Sequence, residues 1–246
     1  MENNNPDYVY QNVVQLNDAD ASRRYLANVF LWMFGALAIS AIFAYEFYAT
    51  PSLLALIVAP GVNGGLALTG LGYVAMFSPL AFSLVMSFGF NRISYPVLLA
   101  LFLIYAVAIG VSFSILGLVY TAGSIFGVFI SSAVVFGIMA IAGYTTRMDL
   151  SKFGSILMMI FFGALAVYFI NFFLGSAQLD YIISFVFVAL MIGLTAYYIQ
   201  MLKRIGAGIE YGTQESKKLI IIGAFVLYTT FINLFISMLR IFGSRR

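Results

Sequence analysis

Charged residues are missing from this chain in long blocks. No Asp, Glu, Lys or Arg occurs from Tyr25 to Tyr45, from Phe47 to Asn91, from Ile93 to Thr146, from Phe153 to Leu179, from Tyr181 to Leu202, or from Leu219 to Leu239. A helix rising about 1.5 Å per residue needs about 20 apolar residues to cross a hydrocarbon layer of roughly 30 Å, and every block is at least that long. The alternating ten-residue strands of an outer-membrane barrel are absent, so the spans are helical. Two blocks hold more than one element. The block from Ile93 is broken at Tyr120, Thr121, Ala122, Gly123 and Ser124, giving two helices joined by a tight turn. The block from Phe47 opens with Pro51, Pro60, Gly61, Asn63, Gly64 and Gly65. Its first part is therefore an extramembrane or interfacial connector, and its second part a helix that Ser78 and Pro79 should kink. The pattern predicts seven helices, over residues 25–46, 66–89, 95–119, 123–144, 154–174, 179–201 and 218–242.

The basic residues orient these helices. Arg23 and Arg24 precede the first, Arg92 lies between the second and third, Arg147 and Lys152 between the fourth and fifth, and Lys203, Arg204, Lys217 and Lys218 between the sixth and seventh. The alternate connections carry no Lys or Arg, which places the amino-terminal end in the cytoplasm. Residues 1–24 form a polar tail on that side, without the basic start of a signal peptide. Arg245 and Arg246 fall on the wrong side for seven crossings and leave open a six-span reading with a re-entrant last segment.

Composition sharpens this picture: 63% of residues are hydrophobic, 9% charged and 17% aromatic, with mean hydropathy +1.04. The fold class is all-α, a polytopic integral membrane protein. The chain has no cysteine and no histidine, which removes thiol nucleophiles, disulfides, imidazole bases and the common transition-metal sites. No enzyme activity and no cofactor are expected. The net charge of +3 comes mostly from loop residues and reflects membrane orientation, with no nucleic-acid partner implied.

Small residues at spacings of four, Ala106, Gly110 and Ser114 on the third helix and Ala133 and Gly137 on the fourth, predict close helix packing. On the last helix Thr230, Asn233, Ser237 and Arg240 share one face, a polar stripe that should point into the bundle or into water. It serves either interhelical hydrogen bonding or an ion or water path. The sixth helix has a comparable face in Gly193, Ala196, Gln200 and Lys203, with Thr195 and Tyr198 beside it. Glu46 and Asp180 are expected as solvated helix-end charges, or alternatively as a cation-collecting vestibule. No carboxylate falls at mid-membrane.

Several segments carry a family resemblance. AGYTTRMDLSKFGSILMM (142–159), NFFLGSAQLDYIIS (171–184), GLTAYYIQMLKRIG (193–206) and LYTTFINLFISMLRIFG (227–243) resemble the Bax-inhibitor family in its bacterial, YccA-like branch. VFLWMFGALAISAIFAYEF near the amino terminus and the LGLVYT turn (116–121) agree. The resemblance implies six helices around a central seventh. It also implies a bacterial inner membrane location and roles as a pH-responsive calcium-leak channel or as a modulator of a membrane-bound AAA protease. The family's pH latch uses two aspartates, in motifs like GLTAxDxQ and LYxDFINLF; the matching positions here are Tyr198 and Thr230. A partnering arginine corresponds to Gly89, with Arg92 three residues away as a substitute. Paired carboxylates would titrate near neutrality through mutual repulsion and desolvation, which Tyr and Thr cannot do. The resemblance thus implies the fold without the proton switch.

Overall fold

The computed structural model describes residues 6–61, 65–89, 92–210 and 212–246, and for 6–19, 87 and 88 the backbone alone. Its elements in order are α1 (Pro6–Ala49), α2 (Pro51–Ile57), β1 (Val58–Pro60), β2 (Leu66–Leu68), α3 (Gly70–Gly89), α4 (Tyr95–Phe113), α5 (Leu116–Val119), α6 (Ala122–Thr145), α7 (Ser151–Leu174), α8 (Ala177–Gly208) and α9 (Gln214–Phe242). Among the described residues six helices are long and apolar enough to cross a membrane: α4 with α5, α6, α7, α8, α9, and α1 from Asp20 onward. The twenty-residue α3 is an additional apolar helix.

Helix ends follow local chemistry. Thr121, Ser176 and Thr213 each accept a hydrogen bond from the backbone N–H three residues on, capping α6, α8 and α9. Gly175, at φ 65°, closes α7 in the left-handed conformation that glycine adopts without penalty. The turn that follows is fixed by Asn171, whose amide group bonds both the N–H and the carbonyl of Ser176. Four expected boundaries move by four residues or more. α1 begins at Pro6 and not at 25, and Ser22, Tyr25 and Leu26 are already buried. The second predicted helix starts at Gly70 and not at 66, because Leu66–Leu68 pairs antiparallel with Val58–Pro60. α8 continues through Lys203 and Arg204 to Gly208, and α9 starts at Gln214. Residues 1–5 of the expected tail, and Asn63 and Gly64 of the connector, lie outside the described residues.

Pro79 sits inside α3, where its missing N–H leaves the Ala75 carbonyl without its helical donor. Two hydroxyls replace it: Ser112 Oγ of α4 donates to Ala75 O at 2.7 Å and Ser78 Oγ at 3.1 Å. Lipid offers no substitute partner, so this repair both preserves the helix and docks α3 on α4.

α9 is the core. Of its most apolar stretch 67% is buried, against 6% for α7. It packs on α1, α4, α6 and α8, while α3 packs mainly on α4 and α7 on α8. The extensive packing of α9 is thus with four helices, where the resemblance implied six around it. Close approach is set by glycine: a Cβ on Gly110 would lie 2.6 Å from the Ser40 carbonyl oxygen of α1, and one on Gly143 would strike the Ala196 backbone of α8. The Ala106, Gly110 and Ser114 face is buried as expected. The Ala133 and Gly137 expectation fails, since Ala133 is exposed and nothing lies within 4 Å of a Cβ on Gly137. The packed face of α6 is instead Ser132, Phe136, Ala140 and Gly143.

Gly110→Leu and Gly143→Leu should each destabilise the bundle by at least about 1–3 kcal/mol, the scale of an overpacked core, while Gly137→Leu should be nearly neutral. Thermal unfolding in detergent reads this out; equal losses for all three would mean that the α6 face is misassigned.

Candidate functional site

The polar stripe of α9 divides in two. Thr230 and Ser237 are buried and bond their own helix, Oγ1 to Val226 O and Oγ to Asn233 O, both at 2.8 Å. The single proton of each hydroxyl is committed to the helix backbone. Asn233 and Arg240 lie instead on a half-buried face with Ile222, Val226, Thr229 and Ile236, at spacings of three and four. This is the one side of α9 that its neighbours leave partly uncovered, and Thr229 brings it a hydroxyl 3.4 Å from Tyr105 Oη.

Arg240 ends that face in a cluster. Its guanidinium donates to Asp180 Oδ1 of α8 at 3.1 Å and to Tyr168 Oη of α7 at 2.9 Å, and lies 5.0 Å from the Tyr168 ring centroid. Asp180 is therefore no free helix-end charge: it is an ion-pair partner that ties the start of α8 to the end of α9. Glu46 is exposed, with no ion pair among the described residues.

The rest of α9 is sealed by rings. Phe225 and Tyr228 meet Phe102 and Tyr105 of α4 edge to face, Phe231 meets Phe129 and Phe136 of α6, and Phe235 lies between Phe113 and Phe129. Amid these rings the Ser40 hydroxyl of α1 meets Tyr228 Oη at 2.6 Å and the Ala106 carbonyl of α4 at 2.7 Å. Among the described residues no buried side-chain nitrogen or oxygen lacks a partner.

The latch-equivalent residues Tyr198 and Thr230 make separate contacts. Tyr198 is half-buried on α8, with its hydroxyl 3.9 Å from Met158 Sδ of α7 and its ring tilted against Tyr197. Thr230 is turned to its own backbone. Gly89 closes α3, its carbonyl accepting from the Arg92 and Ile93 N–H groups at 2.9 Å, and Arg92 is exposed in the turn. Apart from that backbone bond between Arg92 and Gly89, no hydrogen bond or ion pair among the described residues links these four positions to one another. Among the described residues no group of three or more acidic side chains could hold a metal ion.

Gln200 has a different task from lining a path. Its amide donates to Met148 O at 2.7 Å and its carbonyl accepts from Leu150 N–H at 2.8 Å, clasping the α6–α7 loop to α8. One turn on, Arg204 reaches Asp149 and Ser151, both at 2.6 Å, and Lys203 donates to Tyr144 O at 2.9 Å. Sequence reasoning did not identify this clasp, because its partners are some fifty residues apart. The Arg204 guanidinium, with Ser151, holds the Asp149 carboxyl down at about 2. A depressed carboxylate pKa contributes above its unfolded value and is lost as pH falls through the folded one. Protection of the Leu150 amide from hydrogen exchange should therefore hold from neutral pH to about 4 and fall towards pH 2. Gln200→Leu should weaken that protection about fivefold or more at any pH, the scale of one hydrogen bond; unchanged protection would show that the clasp does not hold the loop.

Comparison with known proteins supplies the family. The family profile described as "Inhibitor of apoptosis-promoting Bax1" matches residues 22–246. Inner membrane protein YbhL of Escherichia coli is 37% identical over 223 residues, covering 90% of this chain and 92% of that protein. An uncharacterized protein of Borreliella burgdorferi is 35% identical, covering 91% and 93%, and one of Deinococcus radiodurans 34% identical, covering 95% and 96%. With six helices long and apolar enough to cross a membrane among its described residues, α9 at their core, and a profile match over nearly its whole length, this chain belongs to the Bax inhibitor-1 family of membrane proteins.

Proposed function

We propose that this chain is a seven-crossing inner-membrane protein, with α3 as the additional crossing, that rests closed to ions and acts on a membrane partner without catalysing a reaction. The observation that carries this reading is the aromatic seal around α9 together with the full satisfaction of its buried polar groups. A divalent ion crossing such a core, with no carboxylate at mid-membrane, would meet a barrier of at least several kcal/mol. The seven-crossing count is supported by where the chain ends meet. Arg246, after α9, touches Tyr48 at the end of α1, while Tyr95 at the start of α4 shares a pocket with Asn28 and Trp32 in the first turns of the apolar part of α1. In this reading the segment between Ala49 and Tyr95 traverses the bundle, with α3 as the crossing helix. The basic loops put the Arg147 end in the cytoplasm. The partner class that the family resemblance supplies is a membrane-bound AAA protease.

A second reading, a calcium leak, is favoured by the half-buried face carrying Thr229, Asn233 and Arg240, which would line a path if α9 separated from a neighbour. Single cysteines distinguish the readings on a background that has none. In sealed right-side-out vesicles Met148→Cys and Gly208→Cys should resist a membrane-impermeant thiol reagent and Ser244→Cys should react. Asn233→Cys and Leu234→Cys should stay unlabelled from either side. Labelling of Asn233→Cys from both sides would establish a water-filled path and favour the leak, and protection of Ser244→Cys would overturn the topology.

A further inference from the structure

α1 and α6 both pack on α9 but not extensively on each other, and the space between them is a lipid-facing groove of about 540 Å³. α1 contributes Ala41 and Ala44, α6 contributes Ile125 and Phe129, and Ile232 and Phe235 of α9 form the floor. The small side chains on α1 keep it open. Along α1 the groove runs from Leu37 to Tyr48, about 16 Å of helix, close to half of a hydrocarbon core of roughly 30 Å. It therefore has the depth of one leaflet.

Its outer end is built differently. Residues after α9 fold back on the turn between α5 and α6: Arg246 N–H donates to Val119 O at 2.9 Å and Thr121 N–H to Ser244 O at 3.1 Å. This holds the Arg246 side chain at the mouth, where it donates to Tyr48 Oη at 3.0 Å with the guanidinium 5.8 Å from the ring centroid. The Tyr48 ring lies so close to α5 that a Cβ on Gly117 would come within 2.6 Å of it. The ion pairs among the described residues all lie elsewhere, so no described Asp or Glu pairs with this cation. An apolar slot one leaflet deep, ending in a positioned guanidinium at interface level, is complementary to an acyl chain carrying a phosphate, the anion that arginine's planar fork matches best.

We propose that the groove between α1 and α6 binds a glycerophospholipid of the leaflet at the Tyr48 end, with one acyl chain on α9 and the phosphate on Arg246. Native mass spectrometry of the full chain in detergent, with added phosphatidylglycerol or with diacylglycerol of the same acyl chains, tests this. One phosphatidylglycerol should be retained per protein, with diacylglycerol held about tenfold more weakly, the scale of a hydrogen bond to a charged group. Ala44→Trp should abolish retention by filling the slot. Arg246→Gln, at the exposed rim and safe for folding, should reduce phosphatidylglycerol retention to the diacylglycerol level, while Arg246→Lys should recover part of it. Phe162→Ala on the exposed face of α7 should leave retention unchanged. Equal retention of the two lipids, undiminished retention in Arg246→Gln, or occupation of this face by a second copy of the chain would each overturn the proposal.

Discussion

Hydrocarbon gives a polar group nothing to bond to, and the organisation of this protein follows from that constraint. Its clearest expression is the Ser40 hydroxyl, where α1, α4 and α9 converge. The oxygen meets Tyr228 Oη and the carbonyls of Ala36 and Ala106, so one small side chain satisfies the Tyr228 hydroxyl among the large rings Phe102, Tyr228 and Phe225. The contact requires α1 and α4 to approach closely, which Gly110 allows because any Cβ there would collide with Ser40. The repair of the Pro79 break by Ser112 follows the same logic at the edge of the bundle. Small residues bring helices near, and hydroxyls then find carbonyls.

This constraint also shapes what the last helix can do. α9 is covered by rings from α4 and α6, and its buried hydroxyls are turned to its own backbone. Its remaining polar groups lie on one partly uncovered face, which ends at the Arg240, Asp180 and Tyr168 cluster. A cation approaching along that face first meets an arginine. The opposite end is held by a separate device, the Gln200 and Arg204 clasp, so α8 is fastened to α9 through Asp180 at one end and to the α6–α7 loop at the other.

Hydropathy is a property of consecutive residues, so six of the seven predicted spans were legible in the sequence as helices long and apolar enough to cross a membrane. Helix faces were less so, because spacing fixes which residues are neighbours on a helix but not which way they point. Ala106, Gly110 and Ser114 turned inward as the spacing suggested, whereas Gly137 did not and Gly143, six residues on, did. Thr230, Asn233, Ser237 and Arg240 share a broad face, yet a rotation of some tens of degrees separates buried Thr230 and Ser237 from half-buried Asn233 and Arg240. Arg240 and Asp180 are sixty residues apart and Gln200 and Met148 about fifty, pairings that only the fold creates. Tyr198 and Thr230 stand where the family resemblance places a carboxylate pair, and each makes a separate local contact.

A bundle sealed by aromatic packing, with no histidine and no mid-membrane carboxylate, should neither leak calcium nor respond to protons in the neutral range. Calcium entry into proteoliposomes holding the purified chain, followed with an enclosed dye between about pH 6 and pH 8, measures both properties at once. The account predicts flux at the level of protein-free vesicles throughout; flux well above that level, and above all flux that changes steeply with pH, would contradict it.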